Sequence, residues 1–325
     1  IPVITSMPGK SAIDERHPLS LGAANKTAPK GVWEWLKSSD LLFAIGSSLT
    51  KTSFGINIPA EKTLIHSTVN YDDIDKEYTT EIGLIGDAKK TICMLIDEIK
   101  AVIGEEGRKS DTANREAVAE VKKEWQADWS AMLNSTMDPI NPYRLVNEIN
   151  KAVDHENTIV THDAGHPRDQ IMPFYTATVP HSYVGWGKST HLGYGIPLMI
   201  GSKIANPDKM CMNFMGDAAF GMSGLDLETA NRIGAPITTV VLNNGTMGGY
   251  DKAQPTAMEL YDAGNMYGDY AGISEDLGGV GIKITDPSEI GPALTRARQI
   301  NFDEGKSVLL DVKTQQEMKF SVYSD

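Results

Sequence analysis

The amino-acid sequence predicts an α/β protein made of two doubly wound parallel-sheet domains. Short apolar runs of strand length alternate with helical stretches along the chain. Some of these runs end in pairs such as Gly216-Asp217, which is typical of a buried parallel strand that opens a site at its carboxyl end. A length of 325 residues and an apolar content of 41% suffice for two buried cores.

The first predicted domain covers residues 1–104. Apolar runs at Leu41–Ile45, Thr63–His66 and Ile82–Ile85 alternate with helical stretches at Val32–Lys37 and Ala88–Ile103. Such alternation predicts strands joined by crossover helices, and therefore a parallel sheet.

Residues 105–138 are predicted to be a linker helix between the domains. The composition becomes more charged there, and a helical stretch runs from Asn114 to Leu133. Trp125, Trp129 and Leu133 recur at a spacing of four, so we expect one face of this helix to pack.

The second predicted domain covers residues 139–325 and repeats the alternation of strands and helices. One of its helices is expected over Ser223–Arg232. Its predicted strands are Thr158–His162, Ser182–Gly185, Cys211–Met215, Ile237–Leu242, Val280–Ile284 and Val308–Val312.

Composition excludes several functional classes. A net charge of −13 argues against a nucleic-acid partner, because binding phosphate backbones requires clusters of Lys and Arg. Cys93 and Cys211 both lie in apolar segments and predict no disulfide or cysteine metal site. No apolar run has the length of a membrane span and no signal peptide is visible, so we expect a cytoplasmic protein without a membrane partner. Because the chain begins at Ile1 inside a predicted strand, we expect a fragment, a processed chain or a protein with an upstream portion.

The two strands Cys211–Met215 and Ile237–Leu242 carry the strongest candidate site. They place Asp217 and Asn244 at the same sheet edge, where a carboxylate and an amide oxygen suit Mg²⁺, and the Thr246 carbonyl adds a third oxygen. Small residues at this turn would let backbone N–H groups approach a diphosphate, and they are Gly216, Ala218 and Ala219. The alternative is an ordinary α/β turn in which Asp217 caps the helix.

This spacing resembles the thiamine diphosphate signature, Gly-Asp-Gly followed by Asn-Asn, with Ala218 where the signature has its second glycine. Other segments match in the same order along the chain: His17–Gly22, Leu41–Gly46, Gly86–Lys89, Thr161–Gly165, Leu192–Pro197, Gly268–Ala271 and Asp286–Ile290. The chain is thereby similar to the C-terminal part of acetolactate synthase-like enzymes. The resemblance implies the second half of a central Rossmann-like domain, followed by the diphosphate-binding domain.

The resemblance also implies roles for two loops of the second domain. The turn of Ala164, Gly165 and His166 would contact the terminal phosphate, although the following Pro167 has no N–H to donate. Arg168 would bind a phosphate or a substrate carboxylate, or be a solvated surface residue. Gly187–Thr190 is not a P-loop, because Ser182 stands where that pattern requires glycine.

Around the thiamine rings, the resemblance implies contacts from three further segments. Leu192 would prop the rings in their bent shape, and the Thr190 carbonyl would accept from the 4′-amino group. Met247 and Gly248 would bind the cofactor and begin a segment that covers the site. The strand end at His66–Asn70 is where relatives often hold the adenosine part of FAD, with Asn70 or Asp72 as ribose contacts, or where an empty pocket remains.

The implied function is decarboxylation of a 2-keto acid followed by carboligation, dependent on thiamine diphosphate and Mg²⁺ and possibly carrying FAD. The glutamate that activates the cofactor is expected in a pyrimidine-binding domain from the same or another chain, within a homodimer or homotetramer. Open alternatives are a 2-keto acid decarboxylase, a 2-hydroxyacyl-CoA lyase, a C–C hydrolase and a non-catalytic nucleotide-binding α/β protein.

Overall fold

A computed structural model describes residues 1–107, 112–186 and 191–323. In the first part, the parallel pair β1–β2 precedes a parallel sheet with the order β3-β4-β5. The elements are β1 (Val3–Ser6), β2 (Ser20–Ala24), α1 (Lys30–Ser38), β3 (Leu41–Ile45), β4 (Thr63–Thr68), β5 (Ile82–Ile85) and α2 (Ala88–Ile103). All three strands predicted for this part are present.

Helix α3 (Thr112–Leu133) corresponds to the predicted linker helix, and one of its faces packs as expected. Trp125 stacks on Phe174 with ring centroids 4.7 Å apart, and Trp129 lies at the same distance from Tyr143. Both tryptophans are buried, whereas Leu133 is only partly buried. The helix therefore packs against the second part of the chain.

The second part forms a five-stranded parallel sheet with the order β6-β7-β8-β10-β9. Its elements are α4 (Pro142–Ala152), β6 (Thr158–His162), α5 (His166–Ile171), α6 (Gly195–Ala205), β7 (Met210–Gly216), α7 (Asp217–Ser223), α8 (Asp226–Arg232), β8 (Thr238–Asn243), α9 (Tyr250–Ala253), α10 (Pro255–Tyr261), α11 (Tyr270–Asp276), β9 (Val280–Ile284), α12 (Ile290–Gln299) and β10 (Val308–Lys313).

Successive residues of the central strands enter opposite hydrophobic cores, so both faces of this sheet are covered. On β7, Met212 and Phe214 belong to one core, while Cys211 and Met215 belong to the other. Strands buried on both faces read as continuous apolar runs rather than as alternating patterns. The predicted α/β fold with parallel sheets is confirmed.

One predicted element of the second part was wrong. Ser182–Gly185 is not a strand, because only Tyr183 forms an isolated bridge, to Val160. The helix expected over Ser223–Arg232 is present as α8, which ends at the predicted residue but begins at Asp226, since the chain breaks between α7 and α8 at Gly224. In the ranges that the model describes, no helix is long and apolar enough to cross a membrane.

Candidate functional site

Asp217 lies at the carboxyl end of β7 and joins that strand to the end of β8. Its side chain is buried, and its Oδ2 accepts a hydrogen bond from Gly245 N at 2.7 Å. Its Oδ1 accepts from Ala218 N at 2.8 Å, so this small residue donates to the carboxylate in this structure. Because Gly245 directly follows Asn244, the two predicted cation ligands are brought together at one sheet edge.

The loop after β8 is held in shape by its own hydrogen bonds. Asn244 Oδ1 accepts from Thr246 N at 2.9 Å and from Thr246 Oγ1 at 3.2 Å. Across the loop, Met247 N donates to Gly264 O at 2.8 Å, and Met266 N donates to Gly245 O at 2.9 Å. The predicted metal and cofactor residues of this loop are therefore held in place by hydrogen bonds within the protein.

The surroundings of Asp217 have opposing effects on the pKa of its carboxyl group. Burial raises the pKa of the Asp217 carboxyl, whereas the N–H groups of Gly245 and Ala218 and the charge of Lys313 lower this pKa. Lys313 ends β10, and its Nζ lies 3.4 Å from Asn243 Oδ1. The sequence interpretation did not include Lys313. Only the register between β8 and β10 places this side chain near Asp217.

The turn after β6 brings together residues predicted from two distant segments. Gly165 has a φ of 79°, and an added Cβ there would meet no atom within 4 Å, so the backbone is open to a ligand. His166 is half-buried, and its ring lies 5.1 Å from that of Phe320. Gly248 is in close contact with the same ring, because a Cβ at Gly248 would lie 2.7 Å from His166 Cε1.

Arg168 is not a solvated surface residue, because its side chain is buried. Its guanidinium forms a bidentate pair with Asp169, with both N–O distances at 2.8 Å, and lies 4.4 Å from the Phe54 ring centroid. The contact with Phe54, which is distant in sequence, was not predicted. Binding of a phosphate or a substrate carboxylate by Arg168 stays a prediction.

Asp163 connects the β6 turn with the segment that follows Leu192. Its carboxylate is fully buried and accepts hydrogen bonds from Ala164 N at 2.7 Å, Gly193 N at 3.0 Å and Gly195 N at 2.8 Å. The sequence interpretation assigned this residue no role of its own. Its position directly after a buried strand was the available signal.

Leu192 is half-buried and packs against the hydrophobic core on the α6 side of the sheet. Nearby, the ring centroids of Trp186 and Tyr194 lie 5.1 Å apart, and Trp186 Nε1 donates to His162 O at 3.1 Å. Thr190, the other residue expected near the thiamine rings, lies outside the described residues together with 187–189.

The close packing around Gly193 predicts that a larger side chain there destabilises the protein. Its φ is 87°, and an added Cβ would lie 3.1 Å from Ser223 Cβ and 3.2 Å from Met222 Cβ. We expect Gly193→Ala to lower the free energy of unfolding by about 1–3 kcal/mol, measured by urea denaturation. The control is Gly201→Ala in α6, where no atom is within 4 Å and the same change should stabilise by about 0.5–1 kcal/mol. Equal effects at the two positions would contradict the close packing at Gly193.

The strand end expected to hold FAD carries a self-contained turn. Asn70 Oδ1 accepts from Asp72 N at 3.2 Å, so this amide oxygen is used within the turn. His66 is buried, with its Nε2 2.7 Å from Ser47 O. Neither contact indicates a nucleotide-binding site.

Family models match both parts of the chain. The model of the thiamine pyrophosphate enzyme central domain matches residues 1–95, and that of the C-terminal thiamine pyrophosphate-binding domain matches residues 163–312. The chain belongs to the thiamine pyrophosphate enzymes. Asp217, Asn244 and Leu192 all lie within the range of the second model, and the family inferred from the motifs is confirmed.

Relatives in this family have different named activities. The chain is 27% identical over 320 residues to a probable acetolactate synthase large subunit of Methanococcus aeolicus, which covers 94% of the chain and 52% of the relative. It is 24% identical over 348 residues to a sulfoacetaldehyde acetyltransferase of Alcaligenes xylosoxydans xylosoxydans, and this match covers 98% of the chain and 57% of the relative. The chain spans about half the length of the curated relatives it matches.

Proposed function

We propose that the chain binds thiamine diphosphate through Mg²⁺ and serves an acetolactate synthase-like reaction, in which a 2-keto acid is decarboxylated and then joined to a second carbonyl compound. The observation that carries this proposal is the meeting of Asp217 and the Asn244 loop at adjacent strand ends, joined by the 2.7 Å bond to Gly245 N. The family membership of the chain supports the choice of cofactor.

The donor set fits a magnesium ion that bridges to a diphosphate. Mg²⁺ prefers oxygen ligands and takes only one or two from side chains, leaving positions for water and phosphate. Asp217 and Asn244 supply the side-chain oxygens, and the Thr246 carbonyl supplies a third. Asn244 would exchange its 3.2 Å bond from Thr246 Oγ1 for the cation.

The space beside these oxygens suits a phosphate group. An added Cβ at Gly216 would meet only Pro167 Cγ, at 3.8 Å, and one at Gly165 would meet nothing within 4 Å. The phosphate contacts in this proposal come from the turn of Ala164, Gly165 and His166 and from the small residues around Asp217, which are Gly216, Ala218 and Ala219. Leu192 supports the rings, and Met247 and Gly248 cover them.

When bound, thiamine diphosphate supplies the carbon nucleophile and the electron sink for decarboxylation. The chain's own residues hold the diphosphate and cation, orient the rings and exclude water. A glutamate in a pyrimidine-binding domain, from the same or another chain, completes the proposed site. We propose a cytoplasmic homodimer or homotetramer, with no nucleic-acid or membrane partner; FAD binding is a further option that no described contact favours.

Exposed apolar side chains near the site favour such a partner domain. Met222, in α7, and Leu225, between α7 and α8, have 57% and 74% of their surface exposed. The sequence predicts an apolar patch around Met172, Trp186, Leu192 and Met247. Met172 is completely buried in the core, whereas the other three are half-buried.

We expect the 325-residue chain to be catalytically silent alone, and to self-associate or to bind a partner that carries the pyrimidine-binding domain. Sedimentation velocity and an assay with pyruvate measure both properties. Changing Met222 and Leu225 together to serine should reduce the association, whereas Ile204→Ser, at an exposed position in α6, is the control. A well-behaved monomer with full activity would contradict this prediction.

The alternative functions differ in their reaction product or in whether the protein binds thiamine diphosphate. Acetolactate formed from pyruvate favours the main proposal, whereas acetaldehyde alone favours a 2-keto acid decarboxylase. Cleavage of 2-hydroxyacyl-CoA or of a C–C bond by water favours a lyase or a hydrolase. Mg²⁺-dependent quenching of Trp186 fluorescence by thiamine diphosphate separates all of these enzymes from a non-catalytic nucleotide-binding protein, which would show no such quenching.

A further inference from the structure

The main chain of Asp163 is held in place by a hydrogen bond of its own, independently of the side chain. It directly follows the last residue of β6, and its N–H donates to Phe214 O of β7 at 2.7 Å. The side chain therefore leaves the sheet at a defined point of its carboxyl edge. This is the same edge that carries Asp217 and Asn244 at the ends of β7 and β8.

Within the described residues, the hydrogen-bond partners of the Asp163 carboxylate are all N–H donors. Oδ1 accepts from Ala164 and Gly193, and Oδ2 accepts from Gly195. A proton on either oxygen would find no acceptor among these partners, so the ionised form fits the geometry. Burial raises the pKa of Asp163, and the three donors lower it. Bonds from N–H groups to a buried carboxylate are among the stronger hydrogen bonds of a protein.

Two of these bonds determine the path of the chain just after Leu192. Gly193 N is one peptide from Leu192, and Gly195 N is the first N–H of α6, where a carboxylate also suits the helix dipole. On its other side, Gly193 lies against α7, because an added Cβ would lie 3.1 Å from Ser223 Cβ. The segment is therefore held between Asp163 and α7.

We propose that Asp163 is a positioning residue that sets the place of Leu192 beside the thiamine rings. This inference rests on the proposed function for the role of Leu192, but not for the hydrogen bonds themselves. Asp163 does not touch the reacting atoms. It acts through the backbone of residues 193–195, which it ties to the same strand end as the phosphate-binding turn.

The test uses the 325-residue chain with methyl-labelled leucine and measures amide hydrogen exchange. In the wild type, the N–H groups of Gly193 and Gly195 should exchange about 10- to 100-fold more slowly than in an unstructured loop, because each is bonded to a buried charge. Asp163→Asn should remove the protection of at least one of these two N–H groups, since its amide oxygen can replace only one carboxylate oxygen and its amide nitrogen cannot accept. Asp169→Asn, which changes a carboxylate bonded to Arg168, is the matched control and should leave residues 193–195 unchanged.

The second measurement follows Leu192 itself. Adding Mg²⁺ and thiamine diphosphate to the wild type should shift the Leu192 methyl resonances, because an aromatic ring comes to lie against them. In Asp163→Asn, Trp186 quenching should show that the cofactor still binds, while this methyl shift is smaller. A purely structural role would lower thermal stability and leave the cofactor-induced shift unchanged.

The outcomes separate the two proposals. If the wild type does not bind the cofactor, the proposed function fails, and the exchange data still test the hydrogen bonds. If the cofactor binds but Asp163→Asn leaves both the exchange and the Leu192 shift unchanged, the positioning role is overturned. Should this variant fail to fold, fast exchange at Gly193 and Gly195 in the wild type would overturn the inference equally.

Discussion

Replacing Asp217 by alanine should abolish Mg²⁺-dependent binding of thiamine diphosphate. The change removes the charged oxygen of the ligand set, and Asn244 with one carbonyl cannot replace it. It also leaves Gly245 N without its acceptor, so we expect a loss of about 1–3 kcal/mol in the free energy of unfolding. Trp186 quenching measures binding, and circular dichroism at a temperature well below unfolding verifies that the variant is folded.

Two further variants make this result specific. Asp217→Asn keeps the shape of the side chain and one acceptor, but loses the charge, and should bind the cofactor far more weakly than the wild type. Asp226→Ala removes an exposed carboxylate from the first turn of α8 and should bind normally. Unchanged affinity in Asp217→Ala would exclude Asp217 as a cation ligand.

Leu192→Ala should reduce turnover much more than cofactor affinity. The diphosphate and cation contacts dominate binding, whereas Leu192 only maintains the bent geometry of the rings. Because misplaced reacting groups cost on the order of 100-fold in rate, we expect a loss of that size in kcat. The assay requires the complete protein with its pyrimidine-binding domain, and cofactor affinity is measured on the same preparation.

The matched control is Leu198→Ala in α6. Leu198 is also half-buried and packs against the same hydrophobic core, in the first turn of α6. Its replacement should lower thermal stability without separating turnover from affinity. If Leu192→Ala reduced both equally, or neither, Leu192 would be an ordinary core residue.

The sequence predicts those features that depend on local pattern. The runs that become β3, β6 and β9 have the predicted bounds, because each is a short apolar run of strand length. Asp217 and Asn244 could be placed at one sheet edge because parallel strands share the direction of their carboxyl ends. The turn from Ala164 to His166 was located for the same reason.

Features that depend on tertiary packing could not be predicted. Arg168 pairs with its neighbour Asp169 and lies against the ring of Phe54, which is distant in sequence. The apolar segment around Tyr183 has strand-like composition, yet it makes only a bridge to Val160, since Ser11 takes up the Tyr183 main chain with bonds of 3.3 and 3.4 Å. Asp163 gains Gly193 and Gly195 as partners only through tertiary packing, because they lie 30 and 32 residues away.

The burial of Asp217 couples folding stability to cofactor affinity, and the bond from Gly245 N offsets only part of the effect of burial on its pKa. Burial raises the pKa of Asp217 in the folded chain, so near neutral pH the ionised carboxylate opposes folding relative to a solvated one. A cation that binds only the folded chain would return that free energy, by an amount that grows with its concentration relative to its dissociation constant. The same hydrogen bond orders the ligand loop during folding, so less conformational entropy is lost when the cation binds. Affinity at this sheet edge is thus obtained partly at the expense of the stability of the unliganded protein.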